Sequence, residues 1–294
     1  MYTLKELMDI LLNVKKLPTL SPIAVMLMRS LNEEEPDVQR ISKIISDDPP
    51  TTSMVLKLAN SVMYGARRTI SSVQDAVVRL GFKEIRKLVI DISMVKYLSA
   101  MPEGVLDSVD FWEHSIGVAF CMEEIQEMTN LLDKNGPQVH VAGLLHDIGR
   151  LITATHMPEV HQQFGEDSDE INSSETIIVW EKEVLGLDHT QIGAAVLERW
   201  GLPLEIVNSV RFHHQPDISP EPQRKASYLA HLADCICRKF RLGSVGEGLI
   251  GEIEESVWNI LGISSDIADE VIARVQDKVK KSDVLLSIGG LKKK

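Results

Sequence analysis

The stretch Val141-Ala-Gly-Leu-Leu-His-Asp-Ile-Gly-Arg150 is the most informative part of this chain. An apolar, helix-forming run is followed by an imidazole and a carboxylate, and then by a glycine and a base. A buried helix has little reason to carry His146 beside Asp147 unless something binds them, because unsatisfied buried polar groups are costly. The pair combines two unlike types of metal ligand, so a metal site is the first hypothesis.

The bulk composition is that of an ordinary globular protein. The chain has 294 residues, of which 44% are hydrophobic and 25% are charged, and this length allows one large or two moderate domains. No apolar run reaches the ~18 residues of a membrane span, and the N-terminus has no signal-peptide pattern. The three cysteines have no framework spacing, which predicts free thiols and a cytoplasmic location.

The net charge of −12 is unevenly distributed along the chain. Residues 1–100 contain 14 Lys and Arg against 11 Asp and Glu, whereas the remaining 194 residues contain 17 against 32. The acidic region would repel phosphates, which argues against a nucleic-acid surface there. Residues 71–98 could form a basic helix-turn-helix, but a solvated basic face between two lobes is the favoured interpretation.

Nearly every periodic segment predicts a helix, because aromatic residues are scarce and strand-like alternation is absent. We expect an opening helix at Leu4–Val14, one continuous helix at Gln138–Thr155 and a polar loop at Gly165–Ser174. The stretch Asp48-Pro-Pro-Thr-Thr is predicted to open a helix at Thr51–Asn60, and Asp188 is predicted to cap the helix that follows it. Capping boxes are predicted at Ser71 with Gln74 and at Asp110 with Glu113.

Seven residues could supply ligands to one site, and each lies near a helix end or on an amphipathic helix. The fold sets the distances between them, so spacing alone does not prove that they converge. His189 directly follows the predicted cap Asp188, and a helix-start role is an open alternative for it. Of His213 and His214, one is expected to face the site, with His213 slightly favoured. The candidate ligands are His114, His146, Asp147, His189, His213, His214 and Asp234.

The other four histidines are interpreted as ordinary residues. His231 lies one turn from Asp234 on the same predicted helix, so it could support a ligand without contacting the metal itself. The remaining three are His140, His156 and His161.

The order His, His-Asp, His, His-His, Asp resembles the HD superfamily of metal-dependent phosphohydrolases. The surrounding sequence is similar to the HDOD branch of that superfamily over residues 15–240. The segments that carry the resemblance are Leu17-Pro-Thr-Leu-Ser-Pro22, Ile45-Ser-Asp-Asp-Pro49, Leu56-Lys-Leu-Ala-Asn-Ser61, Tyr64-Gly65, Ile70-Ser-Ser72, Arg79-Leu-Gly81, Trp112-Glu-His-Ser115, Ala142-Gly-Leu-Leu-His-Asp-Ile-Gly149, Asp188-His-Thr-Gln-Ile-Gly-Ala194, Trp200-Gly-Leu-Pro203 and His213-His-Gln-Pro216.

The resemblance implies an all-α fold, a multi-helix HD-domain-like bundle with a helical N-terminal lobe. The implied division is an N-terminal lobe at residues 1–101, an HD-like lobe with the metal site at residues 102–242, and C-terminal helices with a Lys-rich tail at residues 243–294. HDOD proteins are regarded mainly as bacterial signalling modules, and many have lost parts of the metal site. This chain keeps every position.

The resemblance also implies a role for each candidate ligand. A mixed set of imidazoles and carboxylates suits iron, manganese, zinc or nickel better than magnesium or calcium, so one or two divalent transition-metal ions are expected. The first ion would be held by His114, His146, Asp147 and Asp234, and the second by His189 and His213 with His214, with Asp147 as a bridge.

Three functions are consistent with these features. The first is a cytoplasmic regulatory protein that binds metal, could also bind a nucleotide or phosphate ligand, and contacts signalling protein partners. The second is an active phosphohydrolase with Asp147, Arg150 and His213 as catalytic residues, and the third is a scaffold with a vestigial site.

Two departures from the family pattern weaken the enzyme hypothesis. Relatives that hydrolyse cyclic dinucleotides follow their His-His pair with an acidic loop containing Gly-Tyr-Pro, whereas this chain has Gln215-Pro-Asp217. Arg150 replaces the commoner Lys, although an Arg could still hold a phosphate. Neither a membrane nor a nucleic acid is expected as a partner, and the sequence does not indicate the oligomeric state.

Overall fold

The computed structural model describes residues 22–29, 38–61, 64, 69–101, 105–132, 137–159, 174–243 and 253–291. All regular structure in these residues is helical, so the predicted all-α fold is confirmed. None of the described helices is both long and apolar enough to cross a membrane. The predicted helix at Leu4–Val14 and residues 165–173 of the predicted loop lie outside the described residues.

Among the described residues of the N-terminal part, five helices are present. They are α1 (Pro22–Arg29), α2 (Val38–Ser46), α3 (Pro49–Ala59), α4 (Val73–Leu80) and α5 (Phe82–Ser99). The long helix α5 is central, because it packs against α1, α3 and α4. Its buried residues occupy nearly the whole circumference of the helix from Ile85 onward, so it serves as the core of this lobe.

In the described residues between 105 and 243, seven further α-helices form the part of the fold that carries the candidate ligands. They are α6 (Ser108–Thr129), α7 (Pro137–Leu145), α8 (Ile148–His156), α9 (Ser174–Leu185), α10 (His189–Arg199), α11 (Leu204–Phe212) and α12 (Arg224–Lys239). α6 packs along α7 and α12, and α10 packs against both α8 and α11. These contacts bring the ends of several helices to one place.

Two C-terminal helices complete the described chain, α13 (Glu255–Leu261) and α14 (Ile267–Gly289). α14 packs against α6 and also against α5 and α3, so it contacts both predicted lobes. The buried apolar residues of the two lobes and of these helices form one continuous cluster. The lobe boundaries inferred from the sequence stay a prediction.

Side chains cap the helix starts near the predicted positions, but two caps are shifted. Asp48 caps α3, which begins at Pro49 rather than at Thr51, and its side chain accepts a backbone hydrogen bond at 2.9 Å. α4 is capped by Ser72 rather than Ser71, and α6 by Asp107 rather than Asp110. In both shifted cases the residue that caps has the same chemistry as the predicted one and an extended backbone.

The helix predicted at Gln138–Thr155 is two helices, and the prediction of one continuous helix was wrong. His146 and Asp147 lie in the break between α7 and α8. His146 Nδ1 lies 2.8 Å from the carbonyl oxygen of Gly143, and this local bond competes with regular helical bonding. In a continuous helix the two side chains would diverge by about 100°. The break allows both to face the same space.

A buried charged cluster joins α5, α6 and α7. His140 Nε2 on α7 lies 2.8 Å from Asp91 Oδ1 on α5, and its Nδ1 lies 3.5 Å from Glu123 Oε2 on α6. Lys87 Nζ lies 2.7 Å from Glu123 Oε1. Burial disfavours the charged imidazole, but the two carboxylates outweigh this cost and raise the pKa of His140 to about 9. His140 therefore ties the N-terminal lobe to the lobe that carries the candidate ligands.

The charged cluster predicts a pH-dependent stability. A group whose pKa is higher in the folded state stabilises the fold while it is protonated. The contribution of His140 is therefore complete below its ordinary pKa of 6.5 and is lost as the pH rises through about 9. We expect His140→Gln to lower the free energy of unfolding by roughly 1–3 kcal/mol near pH 6, and by less at higher pH. Urea unfolding of both proteins across this range is the measurement, and a difference that does not change with pH would contradict the charged pair.

α8 and α10 approach each other closely at two glycines. A Cβ on Gly149 would lie 1.9 Å from the carbonyl oxygen of His189, and one on Gly193 would lie 3.0 Å from Ile148 Cγ2. The first obstacle is a backbone atom, which cannot rotate away. Because α8 follows Asp147 and α10 begins at His189, this approach sets the separation of two candidate ligands.

The close approach predicts that Gly149→Ala is strongly destabilising. We expect a loss of about 3 kcal/mol or more in the free energy of unfolding, because the added methyl group forces α8 and α10 apart. Gly117→Ala is the matched control, since its Cβ would meet side-chain atoms rather than backbone, with Leu242 Cδ2 at 2.5 Å and Leu242 Cγ at 3.1 Å. That side chain can rotate, and alanine favours the helix by up to about 1 kcal/mol. Equal stability of the two variants in urea unfolding would refute the close contact.

Candidate metal centre

The seven candidate ligands come from five chain segments and converge in one place. Among the described residues they form two groups that could each hold a metal ion. Within a group, one ligand atom from each residue lies within 4.8 Å of all the others. The three-residue group is His114, His146 and Asp234, and the four-residue group is Asp147, His189, His213 and His214.

The three-residue group lies between α6, α12 and the end of α7. His114 Nε2 lies 3.2 Å from Asp234 Oδ1, and the rings of His114 and His146 are 5.1 Å apart. Arg238 Nη1 lies 3.7 Å from Asp234 Oδ2, one helical turn along α12. The carboxylate therefore faces an imidazole on one side and a guanidinium on the other.

The four-residue group is richer in imidazoles. Asp147 Oδ1 lies 3.3 Å from His189 Nε2 and 3.6 Å from His213 Nε2. His214 Nε2 lies 3.1 Å from His189 Nε2, so His214 also faces the group. The expectation that only one of His213 and His214 faces the site was wrong. The pair follows the end of α11 in a turn, and this backbone directs both rings to the same side.

Asp147 lies between the two groups. Its Oδ2 is 3.6 Å from His146 Nε2 of the three-residue group, whereas its Oδ1 faces His189 and His213. A carboxylate can bridge two ions when each of its oxygens faces a different ligand set. Asp147 has this arrangement.

Four of the imidazoles are oriented by a bond at Nδ1. Nδ1 of His146 lies 2.8 Å from the carbonyl oxygen of Gly143, and that of His213 lies 2.7 Å from the carbonyl oxygen of Val210. The Nδ1 of His114 lies 3.3 Å from the carbonyl oxygen of Leu242, and that of His189 lies 2.6 Å from a carboxylate oxygen of Glu181. A proton on each Nδ1 leaves the lone pair on Nε2, which is the atom that faces the site.

Several buried polar atoms of this site lack a hydrogen-bond partner within the described structure. They are the Nε2 atoms of His146 and His213 and both carboxylate oxygens of Asp147 and Asp234. Leaving such atoms unsatisfied costs about 1–3 kcal/mol each. A divalent transition-metal ion accepts lone pairs from imidazole nitrogens and carboxylate oxygens together, so this set of donors fits a metal.

The electrostatics of the site favour the ligand form of its side chains. Burial is the main cause that lowers the pKa of His146 to about 4, so this imidazole is neutral at pH 7. Burial also lowers the pKa of His214 well below its ordinary value. Burial opposes ionisation of Asp147, but the histidines around it and Arg150 hold its pKa well below the usual range. In the same way, His114 and Arg238 lower the pKa of Asp234 despite its burial.

Arg150, which the sequence suggested as a phosphate ligand, is buried. Its side chain is 2% exposed, and its Nη1 lies 3.9 Å from Asp147 Oδ2, one turn along α8. The contact shows that Arg150 supports the charge of Asp147. Its phosphate-binding role stays a prediction.

Two residues support the ligands from outside the two groups. Glu181 accepts hydrogen bonds from both the backbone and the imidazole of His189, and the sequence analysis missed it. The signal was present in the sequence, because Glu181 occupies the middle of an apolar stripe with Ile177 and Leu185, where a carboxylate is unexpected. His231 Nδ1 lies 2.6 Å from the carbonyl oxygen of His213, in agreement with the supporting role suggested for it.

Comparisons with known proteins agree with this fold. Residues 17–216 match the sequence model of the HDOD domain. An HDOD domain protein of unknown function from Geobacter sulfurreducens has a similar structure, with 26% identity, a TM-score of 0.78 and 96% of each chain covered. A protein of Shewanella amazonensis, described only provisionally as a phosphohydrolase, has 27% identity and a TM-score of 0.71, with 95% of this chain and 98% of that chain covered.

A curated relative in Treponema pallidum is an uncharacterised protein. It is 26% identical over 195 residues, which cover 64% of this chain and 36% of the relative. The chain therefore spans little more than a third of the length of that relative.

The position of Asp147 predicts that its substitution affects both groups. We expect Asp147→Asn to weaken the binding of Mn²⁺ by at least about 10-fold at both, because the neutral amide loses the charge that faces each ion. Asp234→Asn should weaken only the three-residue group, and Asp277→Asn, on an exposed part of α14, should change nothing. Calorimetric titration with Mn²⁺ and metal analysis measure these effects. An Asp147→Asn protein that binds metal as the wild type does would contradict the bridging position.

Proposed function

This chain belongs to the HDOD family, and we propose that it is a regulatory module that responds to divalent transition metal bound at its HD-type centre. The buried atoms of His146, His213, Asp147 and Asp234 that lack hydrogen-bond partners carry this proposal. Their donor chemistry suits iron, manganese, zinc or nickel. The bound ions would satisfy atoms that otherwise destabilise the fold, so occupancy and conformation would be linked.

The burial of the site supports regulation more than turnover. Six of the seven candidate ligands are residues no more than 1% exposed, and His214 is the one that retains partial exposure. We take this low exposure to favour a centre that a small ion, rather than a large substrate, reaches. A regulatory module needs only that metal, or a nucleotide or phosphate ligand at the same centre, shifts the helices that contact signalling protein partners.

A metal-dependent phosphohydrolase is the second candidate. The position of Asp147 between two ligand groups favours it, since two ions can act as Lewis acids toward one phosphoryl group. In this function Asp147 and His213 would hold the ions, and Arg150 would stabilise the charge of Asp147 or bind a phosphate. The proton transfer suggested for His213 does not fit this geometry, because its Nδ1 bonds the carbonyl oxygen of Val210 and its Nε2 faces the metal centre. The protein of Shewanella amazonensis described provisionally as a phosphohydrolase makes this a reasonable alternative.

Metal binding is expected to stabilise the protein. The wild type should retain one or two Mn²⁺, Fe²⁺ or Zn²⁺ ions per chain, and chelation should lower its melting temperature. At a free metal concentration of about 100 times the dissociation constant, the gain is about 2.7 kcal/mol. Metal analysis and melting curves with and without a chelator test this. A wild-type protein that contains no metal, and melts identically after chelation, would support a scaffold with a vestigial site instead.

The same preparation distinguishes the regulatory module from the enzyme. Hydrolysis of bis(p-nitrophenyl) phosphate and of a panel of natural phosphodiesters is measured with added Mn²⁺ or Fe²⁺. The regulatory proposal expects no turnover above that of Asp147→Asn. Turnover by the metal-loaded wild type that disappears in Asp147→Asn would establish the phosphohydrolase and overturn the proposal.

A further inference from the structure

We propose that Glu181 is a positioning residue for the four-residue group, and that it makes metal binding there depend on the docking of α9. The inference rests on the proposed metal-binding function, and it adds the element of the fold that would control the site. Glu181 is not one of the ligands. It contacts His189 on the side of the imidazole that faces away from Asp147.

The contact between Glu181 and His189 is double. One carboxylate oxygen of Glu181, Oε2, lies 2.6 Å from His189 Nδ1 and 2.8 Å from the backbone nitrogen of His189. His189 is fully buried and Glu181 is 5% exposed. Both bonds are donated by His189, because a carboxylate only accepts. Glu181 therefore orients the ring and the first residue of α10 together.

This contact determines which nitrogen of His189 can bind a metal. A proton on Nδ1, shared with the carboxylate, leaves a lone pair on Nε2, which lies 3.3 Å from Asp147 Oδ1 and 3.1 Å from His214 Nε2. A carboxylate behind a histidine ligand also increases its basicity, and loss of such a partner costs about 10–100-fold in metal affinity. The other three oriented imidazoles use backbone carbonyls for this purpose. Among these four, His189 depends on a side chain from another helix.

The dependence on a side chain connects the metal to α9. Glu181 lies in the buried stripe of α9 between Ile177 and Leu185, so it reaches His189 only when that stripe is packed. A second contact at the same junction joins Lys182 Nζ to Asp188 Oδ2 at 3.1 Å. If packing of α9 strengthens metal binding, metal must strengthen the packing of α9 by the same factor, because the two equilibria are linked.

Metal affinity tests the positioning role. Mn²⁺ is titrated into wild type, Glu181→Ala, Glu181→Gln and Glu183→Ala. We expect Glu181→Ala to weaken at least one binding event by about 10–100-fold. Glu181→Gln keeps a side-chain oxygen that can accept both hydrogen bonds, so it should lose less Mn²⁺ affinity than Glu181→Ala. Glu183 is exposed on the same helix, so Glu183→Ala removes the same charge and should bind as the wild type does.

Hydrogen exchange of the amides in residues 174–185 tests the coupling to α9. Mn²⁺ should slow the exchange of these amides in the wild type and in Glu183→Ala. It should slow their exchange less in Glu181→Gln, and it should not change their exchange in Glu181→Ala. If Glu181→Ala does not fold, the comparison of Glu181→Gln with Glu183→Ala decides the question. The role of Glu181 is overturned if the wild type binds Mn²⁺ and both Glu181→Gln and Glu181→Ala bind it as tightly as the wild type does. It is also overturned if Mn²⁺ slows exchange in α9 of both variants as much as in the wild type. Wild-type protein that binds no Mn²⁺ overturns the proposed function instead.

Discussion

The buried carboxylate of Asp147 is the constraint around which this structure is organised. It is 1% exposed and faces the imidazoles of His146, His189 and His213, with Arg150 one turn away. A buried charge is tolerated only where opposite charges or hydrogen-bonding groups surround it. The break between α7 and α8, the start of α10 and the end of α11 must therefore meet at one point. The close contact between α8 and α10 holds the start of α10, and with it His189, near Asp147.

Around this point the fold places supporting contacts on two further elements. Glu181 connects His189 to α9, and His140 connects α7 to α5 through Asp91. α7 ends at Leu145, directly before His146, and Glu181 bonds the ligand His189 itself. Each contact therefore joins a ligand, or the helix that leads to one, to another element of the fold. Under the regulatory function proposed above, such contacts would carry a change at the buried centre to helices nearer the surface. Of the seven candidate ligands, only His214 is partly exposed, so most of the centre is buried.

The candidate ligands could be predicted from the sequence because their residue types are unusual in apolar helical surroundings. His146 and Asp147 interrupt an apolar run, and Asp188 is a recognisable cap before His189. Helix class and approximate helix starts are also local properties, since periodicity and capping involve residues within about one turn. The wrong predictions of helix boundaries concern places where two local arrangements of similar energy compete. Ser72 caps α4 in place of Ser71, and the bond between His146 and the carbonyl oxygen of Gly143 lies where α7 ends, although the pattern predicted a continuous helix.

The amino-acid sequence alone is sufficient for the all-α class, which depends on local periodicity. It is also sufficient for the candidate ligands and the family, which depend on residue types and on the resemblance that the quoted motifs carry. The grouping of the ligands came only from the packed fold, as did the inward orientation of both His213 and His214 and the contact of Glu181 with His189. These features join residues far apart in the sequence or on different helices. Their distances depend on how the helices pack around the buried charge of Asp147, and no local pattern encodes that packing.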